Sequence, residues 1–352
     1  GVALLVARPF APLEERKEAI LGRLMASSDY LAGARAALEP MPAAWIGLAL
    51  EVADGAPGFV QEVVHGLLRA FPADAERIEH AGVRANGAIA EFRAALERDL
   101  GPRSGGDPAL GERWLDFLLE REHMLPLRAE ALEAWARQHV EALRRAAERE
   151  AARLDPSRPW RAVAEEVRRA ADPGAAPGAM AAELERARRF AAERRLVPVP
   201  DVPLAVATAS DWQRPLLDDP DHLAPGAFDL EPAGQLLLVA PAAAGRAGPP
   251  PPADPPGRRG PSLDAARVGW PGRHLQRSLA IRCGSRLRRL AANDTLTGGW
   301  ALYAEELMVE EGFCTAAADR LGLVLDLLAA AARAVADTAL QRGRMTLTQA
   351  AG

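Results

Sequence analysis

The chain has 352 residues, a formal net charge of −5, 49% hydrophobic residues and 5% aromatic residues. The hydrophobic content is sufficient for a buried core, which Ala and Leu must largely fill because aromatic side chains are few. The negative net charge argues against nucleic-acid binding, which needs a concentrated basic face. We find no uninterrupted run of 18 apolar residues, and the apolar N-terminal run is too short for a signal or membrane segment. We therefore expect a soluble, cytoplasmic protein without a membrane partner.

The two cysteines are Cys283 and Cys314. Neither has the spacing of a metal-ligand pair. We expect both thiols to be reduced and to act as small core residues.

Hydrophobic periodicity predicts a mainly α-helical chain. The first half, residues 12–195, is expected to be wholly helical, with helices at about 12–38, 42–53, 57–71, 76–100, 108–123, 127–154, 159–171 and 178–195. Three further helices are expected at about 271–292, 297–312 and 315–343.

A small β element is expected near 202–239, within a β part that covers 196–240. The β-branched, proline-punctuated run Leu196–Thr208 predicts one strand, and Gln235–Ala240 predicts a second. Residues 241–261 are rich in Pro, Gly and Ala, so we expect an extended loop.

An acidic segment lies between the two predicted strands. Asp218, Asp219, Asp221 and His222 offer oxygen and nitrogen ligands, but the neighbouring prolines favour a plain acidic turn.

Two sequence blocks carry the functional information. The first is Val268-Gly-Trp-Pro-Gly-Arg-His-Leu-Gln276, and the second is Gly298-Gly-Trp-Ala-Leu-Tyr-Ala-Glu-Glu306. They resemble the HExxPGHHLQ and EGWALYAEE blocks of a bacterial zincin-like metallopeptidase family, domain of unknown function 885. The resemblance runs almost end to end and implies a single zincin-like domain over 1–352, with degenerate active-site helices in 262–343. It also implies that the family continues with further helices, so the C-terminus is expected to be shortened, in the gene or in the expressed polypeptide.

The residues that form the metal site in the family are replaced in this chain. The resemblance aligns those positions with Arg267, Val268, Arg273 and Gly298. Arginine cannot ligate a metal at neutral pH, and valine removes the glutamate that would act as general base. Only His274 remains, and the late histidine of the family is Gln341 here. We therefore expect neither a metal site nor a cofactor.

The residues around the replaced metal ligands suggest a cavity in which arginine side chains supply the positive charge that zinc would supply. Residues 267 and 274 are seven apart, as are 298 and 305, so each pair shares a face if both blocks are helical. His274 is the candidate acid/base, with Tyr303 and Glu305 as further catalytic candidates. The arginines among the substrate-binding candidates would hold an anion through two parallel hydrogen bonds. The substrate-binding candidates are Arg267, Arg273, Gln276, Trp300, Arg333, Asp337 and Gln341. The competing interpretation is that the arginines point to solvent and His274 is a hydrogen-bonded structural residue.

Three functions follow, in decreasing order of preference. The first is a non-peptidase pseudoenzyme or binding protein that has lost its zinc ligands. The second is a metal-independent biosynthetic enzyme that uses the cavity for an anionic substrate, and the third is a residual zinc-dependent peptidase. The partner would be a small anionic ligand or a protein, and an uncovered apolar face would cause self-association. A re-used site should keep His274, Arg273 and Tyr303 in one closed, polar cavity, whereas a decayed site should be filled by apolar side chains or open to water.

Overall fold

The computed structural model describes residues 2–8, 10–170, 176–210, 213, 221–229, 231–239 and 260–351. In these ranges the protein is mainly helical and contains a small three-stranded sheet, which confirms the predicted fold class. The predicted loop at 241–261 lies largely outside the described residues, as do Asp218 and Asp219. The packing groups the chain into two compact units. The single zincin-like domain stays a prediction.

The first unit comprises Gly1–Pro108 and Ser210–Leu217. Its core contains Ile20, Leu24, Val63, Leu67 and Ile78, which come from three helices that pack together. The helices are α1 (Val2–Ala7), α2 (Leu13–Ala37), α3 (Ala43–Ala70) and α4 (Ala75–Ala95), and short 3-10 or π-helical turns cover Pro72–Asp74, Leu96–Leu100 and Gly101–Arg103.

Lys17, the one lysine of the chain, is buried in this unit. Its ammonium group donates to Glu14 at 2.6 Å and to Asp74 at 2.5 Å, and lies 4.4 Å from the centre of the Phe71 ring. These hydrogen bonds raise the pKa of Lys17 above its usual value. The buried charge is therefore compensated within the unit.

Helix α3 is continuous, whereas the sequence predicted two helices at 42–53 and 57–71. Pro57 lies inside it, and the buried residues Ala53 and Val60 on either side keep the same face of the helix in the core. Among the described helices, α3 is the one long and apolar enough to cross a membrane by length and composition, with a mean hydropathy of 1.2. The core helix of a soluble protein passes the same test, so this is weak support for a membrane span.

The second unit comprises Ala109–Ala209 and Asp218–Gly352. Its two longest helices, α6 and α13, pack along each other. The helices are α5 (Glu112–Arg121), α6 (Ala129–Leu154), α7 (Trp160–Ala170), α8 (Pro177–Glu193), α9 (Pro261–Asp264), α10 (Arg273–Ala280), α11 (Arg286–Leu290), α12 (Asp294–Glu310), α13 (Ala317–Gln341) and α14 (Leu347–Ala351), with a π-helical turn at Ala265–Gly269.

The sheet belongs to the second unit and has the order β1-β3-β2. Its strands are β1 (Leu204–Thr208), β2 (Asp221–Leu223) and β3 (Gly234–Leu238). β1 is parallel to β3, with Leu204 opposite Gly234, and β2 is antiparallel to β3, with His222 opposite Leu236. The two predicted strands are confirmed. The interpretation of Asp221 and His222 as part of an acidic turn is wrong, because both lie in β2.

The predicted helix at 271–292 is also wrong. The chain forms α10 and then α11, and Gly284 and Ser285 lie between them. The Ser285 hydroxyl accepts a hydrogen bond from the Arg288 amide and caps the new helix, because a serine at this position satisfies a free amide of the first turn.

The two cysteines lie in the second unit. Cys314 is buried in its core, as predicted, and burial raises the pKa of the thiol to about 12. Cys283 is only half-buried.

Candidate functional site

The first sequence block is interrupted in its middle. The π-helical turn ends at Gly269, Trp270-Pro271-Gly272 is not helical, and α10 begins at Arg273. Proline has no amide hydrogen to continue a helix. A Cβ atom at Gly272 would collide with the carbonyl oxygen of Arg267, so the close approach of the chain requires glycine. The prediction that residues 267 and 274 share one helix face is therefore wrong.

Arg267 turns toward α12. Its Nη1 atom donates to the Glu305 carboxylate at 3.0 Å. The Arg267 side chain is 11% exposed and Glu305 is fully buried. This ion pair places a guanidinium group where the resemblance places a zinc-binding imidazole, and Glu305 neutralises its charge.

Val268 lies in the hydrophobic core. It is 1% exposed and belongs to a cluster with Leu184, Trp270, Leu275 and Met308. The resemblance gives this position to the general base of the peptidase. In this chain, Val268 therefore packs between α8, α10 and α12.

His274 is turned away from Arg267 and toward the sheet, with no exposed surface. Its Nε2 atom lies 2.9 Å from the Val202 carbonyl oxygen, and its Nδ1 atom lies 3.2 Å from Nε2 of His222. A carbonyl only accepts, so Nε2–H of His274 donates to Val202 and Nδ1 accepts from His222. Burial lowers the pKa of His274 below its usual value, against the smaller, opposite effect of the Val202 hydrogen bond.

Two partners of His274 were not identified from the sequence. One is His222, which lies in β2. The other is Gly234 in β3, which leaves room for the imidazole ring, because a Cβ atom at position 234 would lie only 2.6 Å from Nδ1 of His274. The rings of Trp270 and His274 also meet edge to face, with centroids 4.8 Å apart. The imidazole thus joins α10 to the sheet.

The second block lies on α12, and its residues face different surroundings. Trp300 donates from its indole nitrogen to the Pro271 carbonyl at 2.7 Å, which ties α12 to the interruption between the two halves of the first block. Tyr303 is 49% exposed, and its ring lies 5.7 Å from that of Trp300. A Cβ atom at Gly298 would meet no atom within 4 Å.

The expected closed polar cavity is not formed by its three predicted members. Arg273 is half-buried and Tyr303 is half-exposed, whereas none of the His274 surface is accessible to water. Within the part of the chain that the structure describes, His274 therefore lines no water-sized cavity. Gln276 is half-buried beside these residues, and its Oε1 atom is buried without a hydrogen-bond partner in the described part of the chain.

The three candidates from α13 lie elsewhere. Arg333 and Asp337 are exposed. Gln341 accepts from the Leu110 amide at 2.9 Å through its side chain, and its backbone carbonyl accepts from Gly111 at 2.8 Å. Gln341 thereby fixes the chain just before α5. Among the described residues, the hydrogen bonds of His274 go to Val202 and His222 and not to this face of α13, so the expected convergence is not seen.

The next residue, Arg342, was missed by the sequence analysis. Its guanidinium group is almost fully buried and contacts Glu133 of α6 at 2.7 Å and Glu112 of α5 at 3.2 Å. The sequence offers no signal for this, because its arginines and glutamates occur throughout the exposed helices as well. Arg342 locks the end of α13 to the helices beside it.

The described residues at these positions do not offer the ligand set of a catalytic zinc ion. Among the described residues, no group of three or more His, Cys, Asp or Glu side chains is placed to hold a metal. Both nitrogens of His274 are occupied by hydrogen bonds. The remaining positions of the expected ligand set are arginine, valine and glycine, which cannot act as ligands.

Two solved structures have a similar fold. One from Shewanella oneidensis, described as a candidate lipoprotein of unknown function, matches with a TM-score of 0.68 at 17% identity and covers 99% of this chain and 66% of its own. One from Colwellia psychrerythraea, also described as a candidate lipoprotein, matches with a TM-score of 0.69 at 16% identity and covers 96% of this chain and 62% of its own. The chain thus spans just under two thirds of their length. No curated protein matches it.

The family is established by the sequence as a whole. The family described as bacterial protein of unknown function (DUF885) matches residues 1–352. The chain belongs to this family, which confirms that part of the resemblance. The zincin-like metallopeptidase assignment and the degenerate metal site stay predictions.

The Arg267–Glu305 pair should be strongly coupled. We expect Arg267→Met to destabilise the second unit by about 3–5 kcal/mol, because it removes a hydrogen-bonded cation from a fully buried carboxylate. The double variant Arg267→Met/Glu305→Leu should recover most of that loss. Chemical denaturation measures the free energies. The control Arg169→Met breaks an exposed pair with Glu165 and should cost less than about 1 kcal/mol. Additive effects in the double variant would contradict the coupling.

His274 should make stability depend on pH. Its folded pKa is lowered, so below about pH 6.5 the unfolded chain binds a proton that the folded chain excludes. Stability should be complete above pH 6.5 and fall as the pH decreases, by at most about 1.4 kcal/mol per pH unit for this one group. His274→Gln, which can still donate to Val202, should flatten the slope measured by denaturation between pH 5 and 8. The exposed control His80→Gln should retain it, and an unchanged slope in His274→Gln would refute the assignment.

Proposed function

We propose that this chain is a non-peptidase member of its family that acts by binding. The observation that carries the proposal is the Arg267–Glu305 ion pair. It fills the place of the first expected zinc ligand with a charge that the protein itself neutralises. The burial of Val268 at the position of the general base gives further support, because no carboxylate is left there to activate water.

The metal-independent enzyme receives less support. That hypothesis needs His274 to exchange a proton with a substrate, and a catalytic base must lie within hydrogen-bond reach of the reacting group. Both His274 nitrogens are engaged inside the core, and Arg267 is already paired with a carboxylate. The residual peptidase receives the least support, since it also needs the missing ligands.

The partner is proposed to be a protein or a small anionic ligand. The exposed ring of Tyr303 and the open space at Gly298 leave parts of the α12 surface accessible. An uncovered apolar surface would also promote self-association, as the sequence analysis expected.

We also propose an envelope location in place of the expected cytoplasmic one. The support is that both structural neighbours are described as candidate lipoproteins. Fractionation of the native bacterium, followed by immunoblotting, should find the protein with the membrane fraction. Recovery in the cytoplasmic fraction alone would restore the original expectation.

The decisive experiment on function is metal content together with peptidase activity. We expect elemental analysis of the purified chain to find far less than one zinc per molecule, and zinc titration to give no tight site. Added zinc should produce no peptide hydrolysis. His274→Gln serves as the matched control, because weak zinc uptake at surface sites should be the same in both proteins. One tight zinc per chain that is lost in His274→Gln would overturn the proposal.

A further inference from the structure

The segment around α10 and α11 has an unusual charge. Residues 265–293 contain seven arginines and no Asp or Glu, in a chain whose net charge is −5. The nearest acidic residues along the chain are Asp264 and Asp294, which lie on either side. The positive charge is therefore concentrated in one short stretch.

Most of this charge is accessible and not neutralised. Arg282, Arg286 and Arg288 are exposed, and Arg277 is half-buried. Among the described residues, none of these four forms an ion pair within 4 Å, so no carboxylate of the described chain offsets their charge. Exposed cations without internal partners are the electrostatic signature of an anionic partner.

Apolar side chains lie between these arginines. Leu287 is 76% exposed and Leu290 is 61% exposed, and both belong to α11. Leu279 at the end of α10 and Phe228 are also exposed. Exposed leucines do not contribute to binding of phosphate groups, and keeping them in water is unfavourable. Their presence beside the arginines therefore favours a partner that also has an apolar region.

Two contacts hold this surface in place. Arg289 donates from Nε to the Cys283 carbonyl at 2.6 Å, so α11 is held against the turn before it. The Arg286 guanidinium lies 5.5 Å from the centre of the Phe228 ring. We give the name basic-apolar face to the surface that contains the half-buried Arg277 and the exposed Leu279, Arg282, Arg286, Leu287, Arg288 and Leu290.

We propose that the basic-apolar face binds the surface of an anionic phospholipid membrane. The arginines would contact lipid phosphates, and Leu287 and Leu290 would enter the boundary between headgroups and acyl chains. Duplex or single-stranded nucleic acid presents phosphates but no acyl region that would bury these leucines. The proposal does not depend on the proposed function, because it uses other residues of the unit.

Sedimentation with lipid vesicles tests the proposal on the full chain. We expect binding to vesicles of equal parts phosphatidylglycerol and phosphatidylcholine, and little binding to phosphatidylcholine alone. Raising the salt from about 0.05 M to about 0.5 M should weaken binding, because the screening length falls roughly threefold. Arg286→Gln/Arg288→Gln should reduce partitioning about 20-fold, since each arginine near an anionic surface contributes roughly a factor of five.

Two further variants identify the source of the binding. Arg169→Gln/Arg189→Gln changes the net charge equally, at exposed sites of α7 and α8, and should bind like the wild type. Leu287→Ser/Leu290→Ser should weaken vesicle binding without removing charge. Circular dichroism checks that each variant is folded. The proposal is overturned if the chain does not bind anionic vesicles, or if the Arg169/Arg189 control loses as much vesicle binding as the Arg286/Arg288 variant. It is also overturned if the chain binds RNA or DNA more tightly than vesicles and the leucine variant leaves that binding unchanged.

Discussion

The architecture of the second unit depends on the interruption at Pro271 and Gly272. A continuous helix through this block would carry Arg267 and His274 on one face. The missing amide of proline and the close approach at Gly272 instead separate them, so Arg267 faces α12 and His274 faces the sheet. Trp300 bonds to the carbonyl of Pro271, so the second block is anchored at the same point.

Two ionisable side chains of this interior, Arg267 and His274, have defined partners. Arg267 is bonded to Glu305, and His274 is bonded to Val202 and His222. Buried polar groups that are satisfied in this way fix the relative positions of the elements that carry them. The two sequence blocks thus connect α10, α12 and the sheet.

Much of the fold could be predicted from the sequence, because long amphipathic helices have a clear period. The failures were local. The sequence split α3 at Pro57 although buried residues on both sides keep the helix continuous, and it joined α10 to α11 although Ser285 starts a new helix. The short strand β2 has three residues and no alternation, so its pairing with β3 carries no sequence signal.

The site was predicted in part. The blocks identified Arg267, Glu305 and His274, but not the directions in which they point. His222 is distant in sequence and becomes a partner only through the sheet. Net charge was also a poor guide to surfaces, because acidic helices elsewhere mask the arginines between 265 and 293.

The contact between Gly234 and His274 has a consequence for how such sequences are interpreted. The ring fits only because position 234 has no side chain, and its two hydrogen bonds reach two different segments of the sheet region. A substitution at residue 274 would be selected against through loss of stability, whether or not the protein catalyses anything. Persistence of this histidine in a related sequence is therefore a sign of architecture, and an inference of enzymatic activity from it alone would be unsound.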